Sequence, residues 1–475
     1  MRRAAGGVAA APGGGALSRH GGLAVSIEAI TKDYAAHVEG LQRSYEKALA
    51  ESGFDAVVVH GGAARRRSDF DDQWWPLRAT PHFQHWVALR EPGAALVVRA
   101  GRRPTLLRVT AVDYWEHANA PESEHFVEHF EQVALAAADD AKAHVPGGRV
   151  AFVGDEAAIA ARWGIEAVNP PGLVAALDAL RVYKTAYEQG CLREANRRAA
   201  HGHSALRRAF FEGASSELEL HLAYLAVTQQ DDPETPYKNI VAYDGNAATL
   251  HHVAYARRRP GEGGPRTLLL DAGATCLGYC SDITRTWVRD GGDATSAVFR
   301  GLVEGVEALQ QRLCAAVAVG MPYEALHDRA HDEVGALLSA TGVVRCSAEE
   351  AVSSGITRAF FPHGLGHSLG LQCHDVGCAV VKPRADNPFL RNTSVIEAAQ
   401  VFTIEPGLYF IDALLRPLRE GGGSGRVDWA LVDALAPFGG IRIEDDVVVR
   451  GATGGGATEI DNLTRAVLPE GGGAA

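Results

Sequence analysis

The sequence predicts two domains: a smaller α/β domain, followed by a larger α+β domain in which helices cover one face of a mainly antiparallel sheet. Three observations support this prediction. The chain has 475 residues, more than one domain usually contains. Residues 27–187 alternate helical patterns with short apolar runs, an arrangement typical of α/β domains. Residues 188–470 combine amphipathic helical patterns with β-prone runs, as α+β domains do.

Composition and charge exclude several classes of protein. Hydrophobic residues make up 47% and charged residues 22% of the chain, the balance of an ordinary globular protein. A net charge of -12 gives no basic face for phosphates, so we expect no nucleic-acid partner. No apolar run is long enough to span a bilayer, and we expect no membrane partner. Seven cysteines, an odd number spread along the chain, favour a reducing, cytoplasmic compartment over a disulfide framework.

The first domain follows an N-terminal segment, residues 1–26, that is rich in alanine and glycine and contains no acidic residue. We expect this segment to be a disordered extension. Apolar runs at 56–59, 94–98 and 150–153 are the strand candidates. Residues 70–86, FDDQWWPLRATPHFQHW, bring adjacent carboxylates and three tryptophans into a predicted loop. These aromatic side chains could line a pocket, form a subunit interface or simply pack inside the domain.

The second domain is predicted to begin near Glu188, within a charged, strongly helical segment. Ser216 and Glu219 form a capping box at the start of a further helix. The β-prone runs lie at 267–270, 283–288, 401–404 and 441–449. We expect a glycine-rich turn at 451–457 and a loose tail from Gly471 onward.

A histidine-rich stretch at 361–377, FPHGLGHSLGLQCHDVG, is a candidate site. It places His363, His367 and His374 within twelve residues, and its glycines disfavour a continuous helix. The alternative is that these are three unrelated loop histidines among the 19 in the chain. Which of these two interpretations is correct depends on whether other ligand residues lie near the histidines in the fold.

Each β-prone run of the second domain carries or adjoins an acidic residue: Asp271, Asp282, Glu405 and Glu444. A buried carboxylate is costly unless it is paired or binds a metal. Each one alone could instead face water or pair with an arginine such as Arg285 or Arg442. Four carboxylates and one imidazole suit two divalent ions, and two metals about 3.5–4 Å apart form a recurrent hydrolytic centre. The oxygen-rich donor set favours Mn²⁺ and would also accept Co²⁺, Fe²⁺ or Zn²⁺.

These segments resemble the Xaa-Pro dipeptidases, or prolidases, of the pita-bread metallopeptidase family. The resemblance rests on LLLDAG, SDITRT, HGLGHSLGLQCHDVG, TIEPGLYF and FGGIRIEDDVVV, which occur in that order. The segments YKTAYEQGCLREANR, TQQDDPETPYKNIV and DDQWWP are similar to the bacterial branch, which includes the organophosphorus acid anhydrolases. The resemblance implies a pita-bread catalytic domain behind a creatinase-like N-terminal domain, and a homodimer.

The resemblance also implies roles for individual residues. The metal ligands would be Asp271, Asp282, His367, Glu405 and Glu444, with Asp282 and Glu444 bridging two ions. A hydroxide that bridges the ions would attack the scissile carbonyl, Glu405 would carry the proton, and His374 would steady the oxyanion. His251 and His363 would hold the substrate beside His374. Arg391 would bind the proline carboxylate, the alternative being a surface arginine.

Some features depart from the family pattern. His252 stands where an aromatic residue is usual, and LRNTSVIEAAQVFTIEP replaces a proline-glycine turn. Residues 417–427 look like a flexible loop.

The resemblance also implies a role for the first domain. In a homodimer, Asp71, Asp72 and Trp74 of the first domain would cover the partner's active site and contact the substrate there.

The leading hypothesis from the sequence is a dinuclear-metal dipeptidase that hydrolyses Xaa-Pro dipeptides. An aminopeptidase P-type exopeptidase or an organophosphorus acid anhydrolase could use the same site. The non-enzymatic alternative is a metal-free pita-bread binding module, although such modules typically lose the ligands that this chain retains.

Overall fold

The computed structural model describes residues 27–110, 121–213, 215–422, 424–452, 458–469 and 471–473. The predicted disordered extension at 1–26 and residues 453–457 of the predicted glycine-rich turn lie outside the described residues. Within these ranges, no helix combines the length and apolarity needed to cross a bilayer.

Helices and strands are mixed throughout the described chain. The α-helices are α1 (Ile27–Thr31), α2 (Tyr34–Ser52), α3 (Pro81–Gln84), α4 (Ala157–Arg162), α5 (Pro171–Leu180), α6 (Ala186–Glu212), α7 (Glu217–Thr228), α8 (Ala294–Ala316), α9 (Tyr323–Ala340), α10 (Ala348–Ser353), α11 (Ile356–Phe360), α12 (Asp412–Glu420) and α13 (Trp429–Leu435). The strands are β1 (Ala56–His60), β2 (Arg65–Arg66), β3 (Trp74–Trp75), β4 (Ala95–Arg99), β5 (Thr105–Val109), β6 (Glu131–Leu135), β7 (Val150–Val153), β8 (Ala167–Val168), β9 (Ile240–Tyr243), β10 (Thr267–Asp271), β11 (Thr275–Cys276), β12 (Tyr279–Cys280), β13 (Thr284–Val288), β14 (Val401–Ile404), β15 (Gly407–Tyr409), β16 (Gly440–Arg442), β17 (Asp445–Ala452) and β18 (Thr458–Asn462).

The first domain is built on a six-stranded sheet with the order β6-β5-β4-β1-β7-β8. Strand β1 pairs antiparallel with β4 and parallel with β7, so the sheet is mixed. All five residues of β1 are buried, because helices and loops cover both faces of the sheet at its centre. The three apolar runs that the sequence marked as strand candidates form β1, β4 and β7, which confirms the predicted α/β domain.

Helix α6 links the two halves of the molecule over 27 residues. Thr185 and Glu188 form a capping box at its start, in which the Thr185 N–H donates to Glu188 Oε2 across 2.7 Å. The predicted domain boundary at 187–188 therefore falls within the first turn of this helix. Its side chains Tyr187, Cys191 and Leu192 lie in the same buried cluster as residues of the first domain.

The second domain consists of antiparallel strand pairs with helices packed against them. Its sheets have the orders β13-β10-β9, β14-β17-β18 and β15-β16. An antiparallel bridge between Thr284 and Glu444 joins the first sheet to the segment between β16 and β17. Helices α8 and α9 bury their apolar faces with β14 and β17 in one hydrophobic cluster. The predicted α+β domain with a mainly antiparallel sheet is confirmed.

Two local predictions are wrong for part of their residues, while residues 423, 474 and 475 of these segments lie outside the described residues. The segment 417–427, predicted as a flexible loop, begins inside α12, which continues past Pro417 to Glu420. The tail from Gly471 was predicted to be loose, but the Gly473 N–H donates to the Thr286 carbonyl across 3.1 Å and pairs with the edge of β13. In both cases the glycine-rich composition suggested an irregular backbone, but part of the segment forms regular hydrogen bonds.

Candidate active site

A cavity of about 810 Å³ opens in the second domain, a volume that suits a small organic ligand. It is lined by all five residues that the sequence suggested as metal ligands, and by the three candidate substrate histidines and Arg391. These residues are Asp271, Asp282, His367, Glu405, Glu444, His251, His363, His374 and Arg391.

The strand ends bring the four carboxylates to one place. Asp271 is the last residue of β10, and Glu405 directly follows β14. Asp282 precedes β13, and Glu444 lies between β16 and β17, where its N–H donates to the Thr284 carbonyl across 3.0 Å. Each acidic residue therefore sits where a strand stops or starts, so that its side chain points into the cavity and not into the sheet.

His367 reaches this group because its backbone pairs with β14. The Thr403 N–H donates to the His367 carbonyl across 2.9 Å, and the Thr403 hydroxyl accepts from the His367 N–H across 3.1 Å. The imidazole Nε2 then lies 3.5 Å from Asp282 Oδ2 and 3.5 Å from Glu405 Oε1. Its ring Nδ1 lies 3.0 Å from the Ser368 carbonyl, the kind of contact that orients a metal-binding histidine.

These donors fit a divalent cation. Ligand atoms of Asp282, His367 and Glu444 lie within 4.8 Å of one another, and all three residues are buried. Nitrogen and oxygen ligands of one tetrahedral ion are separated by roughly 3.4 Å, close to the distances that His367 makes. Buried charged groups are costly unless they are paired or coordinate a metal. The burial and spacing of these ligand atoms therefore favour a metal site over a salt bridge alone.

The pKa values show that the buried carboxylates of the cavity are destabilised in their charged form. Burial, followed by the charges of Asp282 and Glu405, raises the pKa of Glu444 well above its ordinary value. Burial also raises the pKa of Glu405 to about 7, despite the opposing charges of His367 and Arg442. For His367, burial acts to lower the pKa, but the hydrogen bond to Asp282 and the charge of Glu405 outweigh it and raise the pKa to about 9. A bound cation would balance this excess charge.

Two side chains that the sequence did not identify as site residues hold the carboxylates in place. The Tyr237 hydroxyl lies 2.7 Å from Asp271 Oδ1 and 2.5 Å from Asp282 Oδ1, and donates a hydrogen bond to this pair. Arg442 donates to the other Asp271 oxygen and, across 2.9 Å, to the Tyr409 hydroxyl. Tyr237 belongs to the TPYKNIV segment, whereas Arg442 was considered as an ion-pair partner. The contacts join residues far apart in sequence, so no local spacing marks them.

The three further histidines differ in their surroundings. His363 Nε2 lies 2.9 Å from the Tyr409 hydroxyl, and burial followed by the charge of Arg442 lowers its pKa to about 3, which keeps the ring neutral. His374 is exposed to the cavity and meets the His367 ring edge-on, with the ring centroids 4.4 Å apart. His251 and Arg391 are exposed at the cavity wall.

Cys373 is a further cavity residue that no sequence motif marked as part of the site. Its Sγ donates a hydrogen bond to Asp282 Oδ2 across 2.9 Å. The residue lines the same cavity and is half-buried. Its position immediately before His374 was the available signal. Cys276 and Cys280, by contrast, are buried in an apolar cluster.

Some predicted site residues lie elsewhere. Asp71 and Asp72 lie between β2 and β3 of the first domain and are not among the residues that line the cavity. Within one chain they therefore do not meet the other candidate substrate residues. His252, noted as a departure from the family pattern, has its Nε2 at hydrogen-bond distance, 2.9 Å, from Glu217 Oε2. Its ring thus contacts α7, while the neighbouring His251 lines the cavity.

Comparisons with known proteins agree with the geometry. The family described as "Metallopeptidase family M24" matches residues 190–451, and "Xaa-Pro dipeptidase, N-terminal domain" matches residues 32–179. A Xaa-Pro dipeptidase of Marinobacter nauticus is 44% identical over 432 residues, 90% of this chain and 97% of the relative. A Xaa-Pro dipeptidase of Pseudoalteromonas atlantica is 38% identical over 433 residues, 89% of this chain and 97% of the relative.

Solved structures share the fold. Proline aminopeptidase P II from Yersinia pestis superposes with a TM-score of 0.68 at 21% identity, covering 92% of this chain and 96% of that chain. Aminopeptidase P from Escherichia coli with the inhibitor Pro-Leu gives a TM-score of 0.67 at 21% identity, covering 92% and 95%. Together with the sequence relatives, this likeness confirms the predicted pita-bread fold. The chain belongs to metallopeptidase family M24, and it carries the N-terminal domain of Xaa-Pro dipeptidases in front of the catalytic domain.

Proposed function

We propose that this protein is a metal-dependent dipeptidase that hydrolyses Xaa-Pro dipeptides. The observation that carries the proposal is the cavity itself, in which five metal-ligating side chains face three histidines and Arg391. Its volume suits a dipeptide, and the sequence relatives that match over nearly their full length are Xaa-Pro dipeptidases.

Membership of a metallopeptidase family implies divalent metal, and we propose two ions per chain. The ligands would be Asp271, Asp282, His367, Glu405 and Glu444. An oxygen-rich set with one nitrogen favours Mn²⁺, with Co²⁺ or Zn²⁺ as alternatives. When bound, such ions lower the pKa of water toward about 7 and polarise the scissile carbonyl.

The chain's own side chains would handle the substrate and the proton. Glu405, whose Oε1 lies 3.5 Å from His367 Nε2, would carry a proton to the departing proline nitrogen. His374 is exposed to the cavity and would donate a hydrogen bond to the developing oxyanion. His251 and the neutral His363 would hold the peptide, and Arg391 would bind its free carboxylate.

The test is hydrolysis of Ala-Pro and Leu-Pro after metal stripping and reconstitution with Mn²⁺, Co²⁺ or Zn²⁺. Asp282→Ala and Glu444→Ala should each abolish turnover. Asp433→Asn, which removes a surface carboxylate of α13 that pairs with Arg419 of α12, is the matched control. Turnover that survives in the Asp282 variant with Mn²⁺ in excess would show that the mechanism is wrong.

Aminopeptidase P activity is the second candidate, because the solved structures of similar fold include aminopeptidases P. The same centre could also act on an organophosphorus ester. A comparison of a dipeptide, a tripeptide with proline second and a fluorophosphate separates the three. A preference for the tripeptide would overturn the dipeptidase assignment, and a chain that neither holds nor recruits metal would instead be a binding module.

We further propose a cytoplasmic homodimer in which the β2–β3 hairpin covers the partner's cavity and brings Asp71, Asp72 and Trp74 to the substrate. Three aromatic side chains are exposed there, with relative exposures of 102% for Phe70, 47% for Trp74 and 58% for Trp75. Exposed aromatic clusters are typical of interfaces. In this assignment residues 27–187 form the covering domain and residues 188–470 the catalytic domain. Analytical sedimentation measures the oligomeric state of wild type and of Trp75→Ser and so tests the homodimer. A monomeric wild type would refute it.

A further inference from the structure

The hydrolytic centre proposed above is built from oxygen donors and one nitrogen, yet a thiol lies inside it. Cys373 Sγ is 2.9 Å from Asp282 Oδ2, and the residue lines the cavity. The other cysteines of the chain, all of which lie in described segments, do not line this cavity; Cys346, for example, lies between α9 and α10. A sulfur donor at this position changes which ions the cavity can hold.

Three soft or borderline donors converge there. Ligand atoms of His367, Cys373 and His374 all lie within 4.8 Å of one another. In a tetrahedral zinc site with one sulfur and two nitrogens, such atoms are separated by roughly 3.5 Å. The His374 ring is exposed, so a rotation of this side chain can close the remaining gap.

The backbone that carries these donors is held in place. The Asp375 N–H donates to the Ser368 carbonyl across 2.9 Å, which closes the turn between the two histidines. The Cys280 N–H donates to the Gly370 carbonyl across 2.8 Å and fixes the turn to β12. The three side chains therefore project from a preformed segment, as ligands of a metal site must.

We propose that His367, Cys373 and His374 form a second metal site, specific for a thiophilic ion such as Zn²⁺ or Cd²⁺. Thiolate and imidazole donors select such ions, whereas the carboxylate-rich set selects Mn²⁺. Binding removes the thiol proton to the solvent and replaces the hydrogen bond to Asp282 by a metal–sulfur bond. A water molecule or Asp282 supplies the fourth ligand.

The site shares His367 with the hydrolytic centre, so the two arrangements exclude each other. An ion held by Cys373 withdraws His367 from Glu405 and occupies His374, which the proposed reaction needs. This part of the inference rests on the proposed function. It makes Cd²⁺ an inhibitor that competes with Mn²⁺ for the same histidine.

The experiment that tests the site is spectroscopic and does not depend on turnover. Co²⁺ is added to the metal-stripped full chain and its near-ultraviolet absorption is followed. Wild type should show a sulfur-to-cobalt charge-transfer band that is absent in Cys373→Val and in Cys373→Ser. The serine variant keeps a hydrogen-bond donor for Asp282, and therefore serves if the valine variant does not fold. Cys346→Ala, which removes a thiol outside the cavity, should keep the band.

Equilibrium dialysis with Cd²⁺ gives the affinity. Loss of the sulfur ligand should weaken Cd²⁺ binding by at least about tenfold, while Mn²⁺ binding changes less. Wild type without a sulfur band, or a band that persists in Cys373→Ser, would overturn the proposal. So would equal Cd²⁺ affinities in wild type and Cys373→Ser.

Hydrolysis of Ala-Pro separates the two proposals. Inhibition by Cd²⁺ is measured in each variant relative to its own rate with Mn²⁺, and should be weaker in Cys373→Ser than in wild type. A chain that shows the sulfur band but does not cleave dipeptides would refute the proposed function and leave the metal site standing. A chain that cleaves dipeptides without the band would do the reverse.

Discussion

Lys184 Nζ lies 2.9 Å from Oδ2 of Asp375, the residue that follows His374 in the chain. The other Asp375 oxygen accepts from Arg181, and all three side chains are at most 2% exposed. Both cations come from the segment that joins α5 to α6. The turn that carries His374 is therefore held by the connection between the two domains.

Asp375→Asn should lower both stability and turnover. The substitution removes the anion that both buried cations share, and breaking a buried pair in this way costs roughly 3–5 kcal/mol. The free energy of unfolding is measured by urea denaturation, and kcat/KM with a Xaa-Pro dipeptide. The control is Asp386→Asn, which removes a carboxylate of a surface pair and should change stability by less than about 1 kcal/mol. Equal unfolding midpoints for the two variants would contradict the role of Asp375.

His367→Ala should lose metal, whereas His363→Ala should keep metal and lose turnover. His367 Nε2 lies between carboxylates of Asp282 and Glu405, but the His363 ring nitrogens face the Gly364 carbonyl and the Tyr409 hydroxyl. Bound Mn²⁺ per chain, measured after dialysis, checks this contrast. A His363 variant that is depleted of metal to the same extent as the His367 variant would show that the ligand set is wrong.

Arg391→Met should weaken hydrolysis of substrates that carry a free C-terminal carboxylate. A charge-assisted pair contributes roughly 1.5–3 kcal/mol, so kcat/KM for Leu-Pro should fall about 10- to 150-fold. The amide of Leu-Pro lacks the charge, and its already low kcat/KM should change little. Arg384→Met, on the surface and paired with Asp328, is the control. Equal losses for the acid and the amide would assign Arg391 to a structural role.

His60 should make the folded state sensitive to acid. Burial lowers its pKa from 6.5 to about 4, although Glu156 and Asp155 oppose this effect. Its Nδ1 accepts from the Gly62 N–H across 3.1 Å, so protonation also costs a hydrogen bond. Because the unfolded chain binds the proton near pH 6.5 and the folded chain binds it near pH 4, stability falls as the pH drops through this window.

The His60→Gln variant tests this contribution. Between pH 6.5 and pH 5, wild type should lose roughly 2 kcal/mol more unfolding free energy than the variant. Urea denaturation at several pH values measures both slopes, and the other titrating groups contribute equally to the two proteins. Parallel slopes would show that His60 does not titrate with a lowered pKa.

The sequence predicted those parts of the fold that depend on local signals. The apolar runs of β1, β7 and β14 mark strands because their side chains are buried on both faces. The box of Ser216 and Glu219 starts α7 as predicted, with the Ser216 N–H donating to Glu219 Oε2 across 2.8 Å. Acidic residues in or next to such strands stood out because a buried carboxylate is costly unless it is paired or binds a metal.

Other features depended on contacts that the sequence does not encode locally. Tyr237, Arg442 and Cys373 join the cavity through partners that lie 34 to 171 positions away. The extent of α12 was missed because Pro417 and the following glycines predict a break, whereas Leu415 of this helix is buried in the hydrophobic cluster. In such cases tertiary packing overrides the local preference of the sequence.

Helix α6 has a consequence for how this protein can be divided. Its first turns contribute Tyr187, Cys191 and Leu192 to the apolar cluster around β1, while Asn196 further along donates to Asp446 of β17 across 2.8 Å. Helix α6 thus packs against both domains. Neither domain can be separated as an independent module, because removing α6 from either one would expose apolar side chains that the helix now buries. Evolutionary exchange or engineered grafting of the N-terminal domain would therefore have to include α6.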